Sequence, residues 1–154
     1  MKDMRLSLVL LSLLLALTLA CASAPIPSER LKAEPVEGYL VEVPADRAWG
    51  DSGVSLHTGQ VFYVAYLSGL VADGETALTD ASGSGYVCGH AGCCEPLPEA
   101  PRGALIGRLG REVFYIGNGG EFTAPASGRL FLRMNDCDEG LYDNHGAWQI
   151  LIVP

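Results

Sequence analysis

The chain has 154 residues, a formal net charge of −8 and a sequence pI of about 4.7. That length suits one domain of ordinary size. The acid excess repels phosphates and anionic lipid, which argues against nucleic-acid or membrane-surface binding and leaves cations and neutral ligands as suitable partners.

At the start, Lys2 and Arg5 precede "LSLVLLSLLLALTLACASA". A positive opening, an apolar stretch and a small-residue exit read as an export signal over 1–21 rather than a permanent span, because no basic stop-transfer cluster follows. Cleavage after Ala22 or Ala24 fits the A-x-A pattern. "TLAC" (Thr18 to Cys21) resembles a bacterial lipobox, with Thr18 where Leu is usual, and this predicts lipidation at Cys21. The next stretch, 22–37, is rich in Pro, Ser and charge without an apolar period, and reads as a tether.

From residue 38 onward the apolar runs are short, rich in aromatic and β-branched residues, and separated by turns. "YLVEV" (Tyr39 to Val43) is a first strand. "GVSL" leads through the turn "HTGQ" into "VFYVAYL" (Val61 to Leu67), and "ETALTDASGSGYV" alternates weakly up to Val87. "GALIGRLG" and "REVFYIG" form a pair meeting at Gly110. "GGEFTAP" follows, then Ser127-Gly128 turns into "RLFLRMN" (Arg129 to Asn135), and "AWQILIV" (Ala147 to Val153) comes last. About eight short strands with 19 Gly and 9 Pro predict an all-β fold, a small β-sandwich or jelly roll spanning 38–154. The alternate positions Leu40, Val61, Tyr63, Ile106, Phe114, Ile116, Leu130, Leu132, Trp148, Ile150 and Ile152 are the expected core.

The five Cys divide into Cys21 and four others: Cys88, Cys93, Cys94 and Cys137. An even number in an exported chain predicts two disulfides. Neighbouring Cys93 and Cys94 seldom bond each other, so each should reach elsewhere, and Cys137 is the one distant partner. Zinc held by Cys88, His90, Cys93 and Cys94 of "CGHAGCC" is the alternative, with cramped spacing.

"MNDCDEGLYDNHGAW" (Met134 to Trp148) joins the last two strands with about a dozen residues, where a simple hairpin needs roughly two to five. Asp136, Asp138, Glu139 and Asp143 repel one another unless a hard cation intervenes. Asp136, Asp143 and Asn144 offer side-chain oxygens, Gly140 a backbone carbonyl, and Asp138 and Glu139 read as solvated neighbours. A bare, solvated acidic loop is the plain alternative. The EF-hand pattern fails, since no Glu stands at the twelfth position and no helices flank the loop. No nucleophile lies at a diagnostic spacing from His57, His90 or His145, and no acid/base constellation is readable, so the chain is not expected to be an enzyme.

The runs "WGDSGVSLHTGQVFYV", "CGHAG", "PRGALIGRLG", "SGRLFLRMND" and "YDNHGAWQILI" resemble the PA-IL-like family of bacterial calcium-dependent galactophilic lectins, over nearly the whole chain from Tyr39 onward. The resemblance implies a galactose-binding-domain-like sandwich in which one Ca2+ holds a sugar through its hydroxyls. It implies calcium ligation by Asp136, Asp143, Asn144, the Gly140 carbonyl and a carbonyl in the Leu56–His57 turn. Asp136 and Asp143 would also touch sugar, with Cys137 in the place of a small apolar contact residue. His90 and Glu95 are candidates from the "CGHAGCCEPLPE" loop. Tyr66, Tyr86 and Tyr142 are candidate stacking rings, with Tyr142 the best placed.

The expected partner is therefore a neutral sugar or glycan, with a lipid anchor as the membrane contact and a homo-oligomer left open. The expected location is the bacterial envelope, or otherwise the periplasm or medium. The competing expectation is a structural envelope lipoprotein whose calcium, if any, only stabilises the last loop.

Overall fold

A computed structural model describes residues 37–154. The export signal, Cys21 and all but the last residue of the expected tether lie outside the described residues.

Among the described residues, nine strands occur in chain order: β1 (Tyr39–Pro44), β2 (Gly50–Leu56), β3 (Val61–Ser68), β4 (Val71–Ala72), β5 (Leu105–Leu109), β6 (Glu112–Tyr115), β7 (Gly119–Thr123), β8 (Gly128–Met134) and β9 (His145–Val153). They form two antiparallel sheets. One runs β1-β9-β3-β7 with short β4 on β9, and the other runs β2-β8-β5-β6. A 3-10 turn spans Leu141–Asp143. The β-sandwich read from the strand pattern is the observed architecture.

The core lies between the sheets, where each strand contributes alternate side chains. Trp148, Ile150 and Ile152 of β9 meet Leu130 and Leu132 of β8 and Val54 and Leu56 of β2. Phe62, Phe114 and Phe122 cluster with ring centroids 5.5–6.4 Å apart. Gly107 makes room for them, since a Cβ there would stand 2.9 Å from the Phe114 ring and 2.8 Å from Ile116 Cδ1.

Three expected core residues face outward instead. Leu40, Val61 and Tyr63 are exposed, while Val43, Phe62 and Val64 point in. Both faces of β3 are apolar, so alternation alone did not separate them, whereas in β1 Glu42 shares Leu40's face and marks it as outward. Tyr63 is at home outside because its hydroxyl donates to Glu121 on the adjoining strand. Ile106 is buried as expected, but in a separate cluster with Leu97 and Ala100, on the outer face of the second sheet. "ETALTDASGSGYV" forms no strand of its own. Apart from one bridge between Val71 and Thr79, residues 73–104 make a long irregular excursion.

The registers define two ends. At one, Leu56 pairs with Gly128 and Leu109 with Glu112, so the turns at 57–60, 110–111 and 124–127 gather there. At the other end lie the 45–49 connection, the 73–104 excursion and the 135–144 loop, next to the Leu105–Met134 pair.

Candidate functional site

Side chains from the end of β8 shape the 135–144 loop. Arg133 is buried; its Nε donates to Met134 O at 3.0 Å, Nη2 to Asp136 O at 2.7 Å and Nη1 to Asp138 Oδ1 at 2.6 Å. Asp138 remains exposed to solvent, as expected, and one of its oxygens also pairs with the buried Arg133. Asn135 clamps the excursion onto the loop: Leu97 N donates to its Oδ1 at 3.1 Å, and its Nδ2 donates to Leu97 O at 2.9 Å and Ala100 O at 3.3 Å.

The excursion is also stapled covalently. Cys88 bonds Cys93, and Cys94 bonds Cys137, with Cα separations of 6.0 and 5.0 Å. Two disulfides replace the zinc alternative, because oxidised sulfurs cannot serve as the thiolate ligands zinc requires.

Asp136 is fully buried. Its Oδ1 accepts from Cys137 N at 2.8 Å and from Arg102 Nη2 at 3.0 Å, and its Oδ2 accepts from Asn144 Nδ2 at 3.0 Å. Gly140 lies directly against this carboxylate, since a Cβ on it would stand 3.0 Å from Asp136 Oδ2. Asp143 approaches from the 3-10 turn, its Oδ2 3.1 Å from the position a Cβ would take on Gly74. Asp73, just after β4, ion-pairs with Arg102 Nε at 2.6 Å, without the alignment of a hydrogen bond. Burial raises the Asp73 pKa above 3.8, and the negative charges of Asp136 and Asp143 add to the rise against the opposing pull of Arg102. Three carboxylates from three segments therefore share one field.

Among the described residues, four buried side-chain polar atoms have no hydrogen-bond partner: Glu95 Oε2, Arg102 Nε, Asn144 Oδ1 and Trp148 Nε1. The first three belong to this cluster or adjoin it. Asn144 donates through Nδ2 to Asp136 and to Ala45 O at 3.4 Å, which fixes its amide orientation and leaves Oδ1 bare. A buried acceptor without a donor costs about 1–3 kcal/mol. A hard cation taking oxygen ligands would remove that cost. Asp136, Asn144 and Gly140 stand together, while Asp143 is exposed with its Oδ2 toward Gly74 and its N–H donating to Gly140 O at 3.4 Å.

Leu56 is not brought to this group. It sits at the turn end, paired with Gly128, while Asp136 follows the opposite end of β8. The extra segment at the cluster is instead Asp73-Gly74 after β4. Glu95 is buried beside the Cys94–Cys137 bridge, with a carboxylate oxygen and the two sulfurs all within 4.8 Å of one another. His90 stays with its own disulfide loop, Nε2 3.4 Å from Cys88 Sγ. Tyr142 is 85% exposed, and Cys137 is buried with its sulfur committed to Cys94. Tyr66 spends its hydroxyl on Gly69 O at 2.6 Å.

A cleft of about 300 Å³ opens beside the cluster, lined by Asp73, Thr76, Thr79, Ser84, Tyr86 and Arg102 over a floor of Met134. Asp73 and Arg102 form its boundary with the carboxylate group. It offers hydroxyls, a charge pair and one exposed ring. Of the residues expected to touch sugar, none lines it; Tyr86, one of the candidate rings, does. Asp73 and Arg102 were missed, although Arg102 is the one Lys or Arg between Arg47 and Arg108 in a stretch with six acids.

Neither a family model nor a curated protein matches the sequence. A solved structure described as the EclA N-terminal domain, a PllA-like lectin, is similar with a TM-score of 0.60 and 27% identity, over 75% of this chain and 94% of that one. The domain is lectin-like in fold.

Proposed function

We propose that this protein is a calcium-dependent carbohydrate-binding module. The observation that carries the reading is Asn144 Oδ1, buried and unpaired on a side chain whose Nδ2 donates to Asp136, in a lectin-like sandwich. Calcium accepts about six to eight oxygens, more than Asp136, Asp143, Asn144 and a Gly140 carbonyl supply, which leaves positions where vicinal sugar hydroxyls replace water. The chain's own residues hold the loop in shape: Arg133 and Asn135 fix its backbone, and the Cys94–Cys137 bridge fixes the wall next to it. The ring of Tyr86 and the hydroxyls of Thr76, Thr79 and Ser84 suit a neutral sugar, with galactose the first to try. Lipid anchoring at Cys21 on the bacterial envelope belongs to the same reading and is tested by incorporation of labelled fatty acid, lost in Cys21→Ser.

Calorimetric titration with calcium, then with galactose and other simple sugars in calcium, tests the reading. Heat from both is expected. Asp136→Ala should abolish the rise in Tm that calcium produces; an unchanged rise would remove the site. A second reading has one observation in its favour: Cys137, expected to face sugar, is buried in a disulfide. Calcium would then only brace the loop, and heat from calcium with none from any sugar is its signature.

A further inference from the structure

Arg102 is out of keeping with a plain oxygen cage. Its Nη2 lies 3.0 Å from Asp136 Oδ1 and its Nε 2.6 Å from Asp73 Oδ2, so one guanidinium bridges two of the carboxylates that calcium would neutralise. Asn144 and Gly140 meet the other oxygen, Oδ2, so an ion held there and the guanidinium on Oδ1 would share one carboxylate and repel each other across it. Arg102 has somewhere to go. Its side chain is 36% exposed and lines the open cleft. Glu95 is buried with Oε2 unpaired, beside the Cys94–Cys137 bridge whose Cys137 directly follows Asp136. The Cys94–Cys137 bridge keeps Glu95 next to the loop that carries Asp136.

We propose that Arg102 is the site's resident counter-cation, which joins Asp73 to Asp136 while the divalent position is empty and transfers to the waiting Glu95 carboxylate when a divalent cation binds. The proposal rests on the metal-binding reading above. It accounts for two otherwise unrelated features: a buried glutamate with a bare oxygen, and an arginine placed among ligands meant for an ion. Its consequence is a binding loop that keeps its shape without metal, at the cost of weaker metal affinity, because every ion must displace an internal competitor.

The test is calcium titration of the wild type, Arg102→Gln, Arg102→Lys and Glu95→Gln, with Tm measured in chelator alongside. Arg102→Gln should bind calcium about ten-fold more tightly, the loss of one competing charge-assisted contact, and should melt lower than wild type in chelator. Arg102→Lys cannot span both carboxylates and should fall between them. Glu95→Gln should bind calcium more weakly while Arg102 is present, and equally well when combined with Arg102→Gln. Equal calcium affinity in wild type and Arg102→Gln would overturn the proposal and leave the metal site standing. No calcium binding by any folded variant would overturn the metal reading instead. If neither Arg102 variant folds, Glu95→Gln decides, and an affinity equal to wild type overturns the transfer.

Discussion

The two ends of the sandwich use their polar atoms in opposite ways. At the turn end, short connections satisfy themselves locally: His57 N donates to Gln60 Oε1 at 3.1 Å, Gln60 N to His57 O at 2.9 Å and Thr58 N to Ser127 Oγ at 2.9 Å. At the loop end, two long connections are tied down by an amide clamp, an arginine and a disulfide, yet buried polar atoms are left over. An end that only reverses the chain has no reason to hold unpaired acceptors. Under the proposed function, the missing partner of the loop end arrives from outside.

The largest break in this contrast should come from the covalent staple. Replacing Cys94 and Cys137 with Ser should cost about 2–5 kcal/mol in thermal unfolding. Calcium heat should disappear, while hydrogen-exchange protection of β2 and β8 near Leu56 survives in the folded fraction. Asn135→Ala comes next. It strands the buried Leu97 N–H and three carbonyls, so a loss of about 2–3 kcal/mol in denaturant unfolding is expected, together with faster exchange across 97–101.

At the turn end, Ser127→Ala should cost about 0.5–1 kcal/mol, because Thr58 N is exposed and water replaces the lost acceptor. Calcium affinity should not change; a change would mean that the two ends communicate. The smallest effect concerns Asp80, at the neck of the excursion. Hydrogen bonds from the Ser82 side chain, the Ser82 backbone and Asn118 lower its pKa below 3.8. Its stabilising contribution is therefore present above 3.8 and is lost as pH falls from there through the lowered value. Tm measured against pH should decline less steeply in that window for Asp80→Asn.

The strands were legible because apolar runs between glycine turns leave little choice of element. β5 and β8 were placed closely from "GALIGRLG" and "RLFLRMN". The inward face was legible where the two faces differ: Leu130 and Leu132 alternate with charged or aromatic neighbours, whereas β3 is apolar on both sides and was assigned the wrong one, and in β1 the sign that Glu42 gives of Leu40's outward face was passed over. Asp136, Asp143 and Asn144 stood out because they crowd into one loop. Asp73 and Arg102 did not, since each is an ordinary charged residue and only the folded excursion brings them to Asp136. Leu56 was misplaced because it was carried over from the family resemblance, and the turn it precedes lies at the opposite end of the sheet from Asp136.

β9 carries a consequence for how the molecule comes into being. It pairs with β1, β3 and β4, all of which precede it by more than seventy residues. A growing chain therefore holds these strands without their shared centre until residue 153 has been made. Sheet closure and completion of the 135–144 loop fall in the same late stretch of synthesis. An interrupted chain ending before His145 would present the bare margins of β1 and β3, with their outward Leu40, Val61 and Tyr63, as a template for the wrong neighbour.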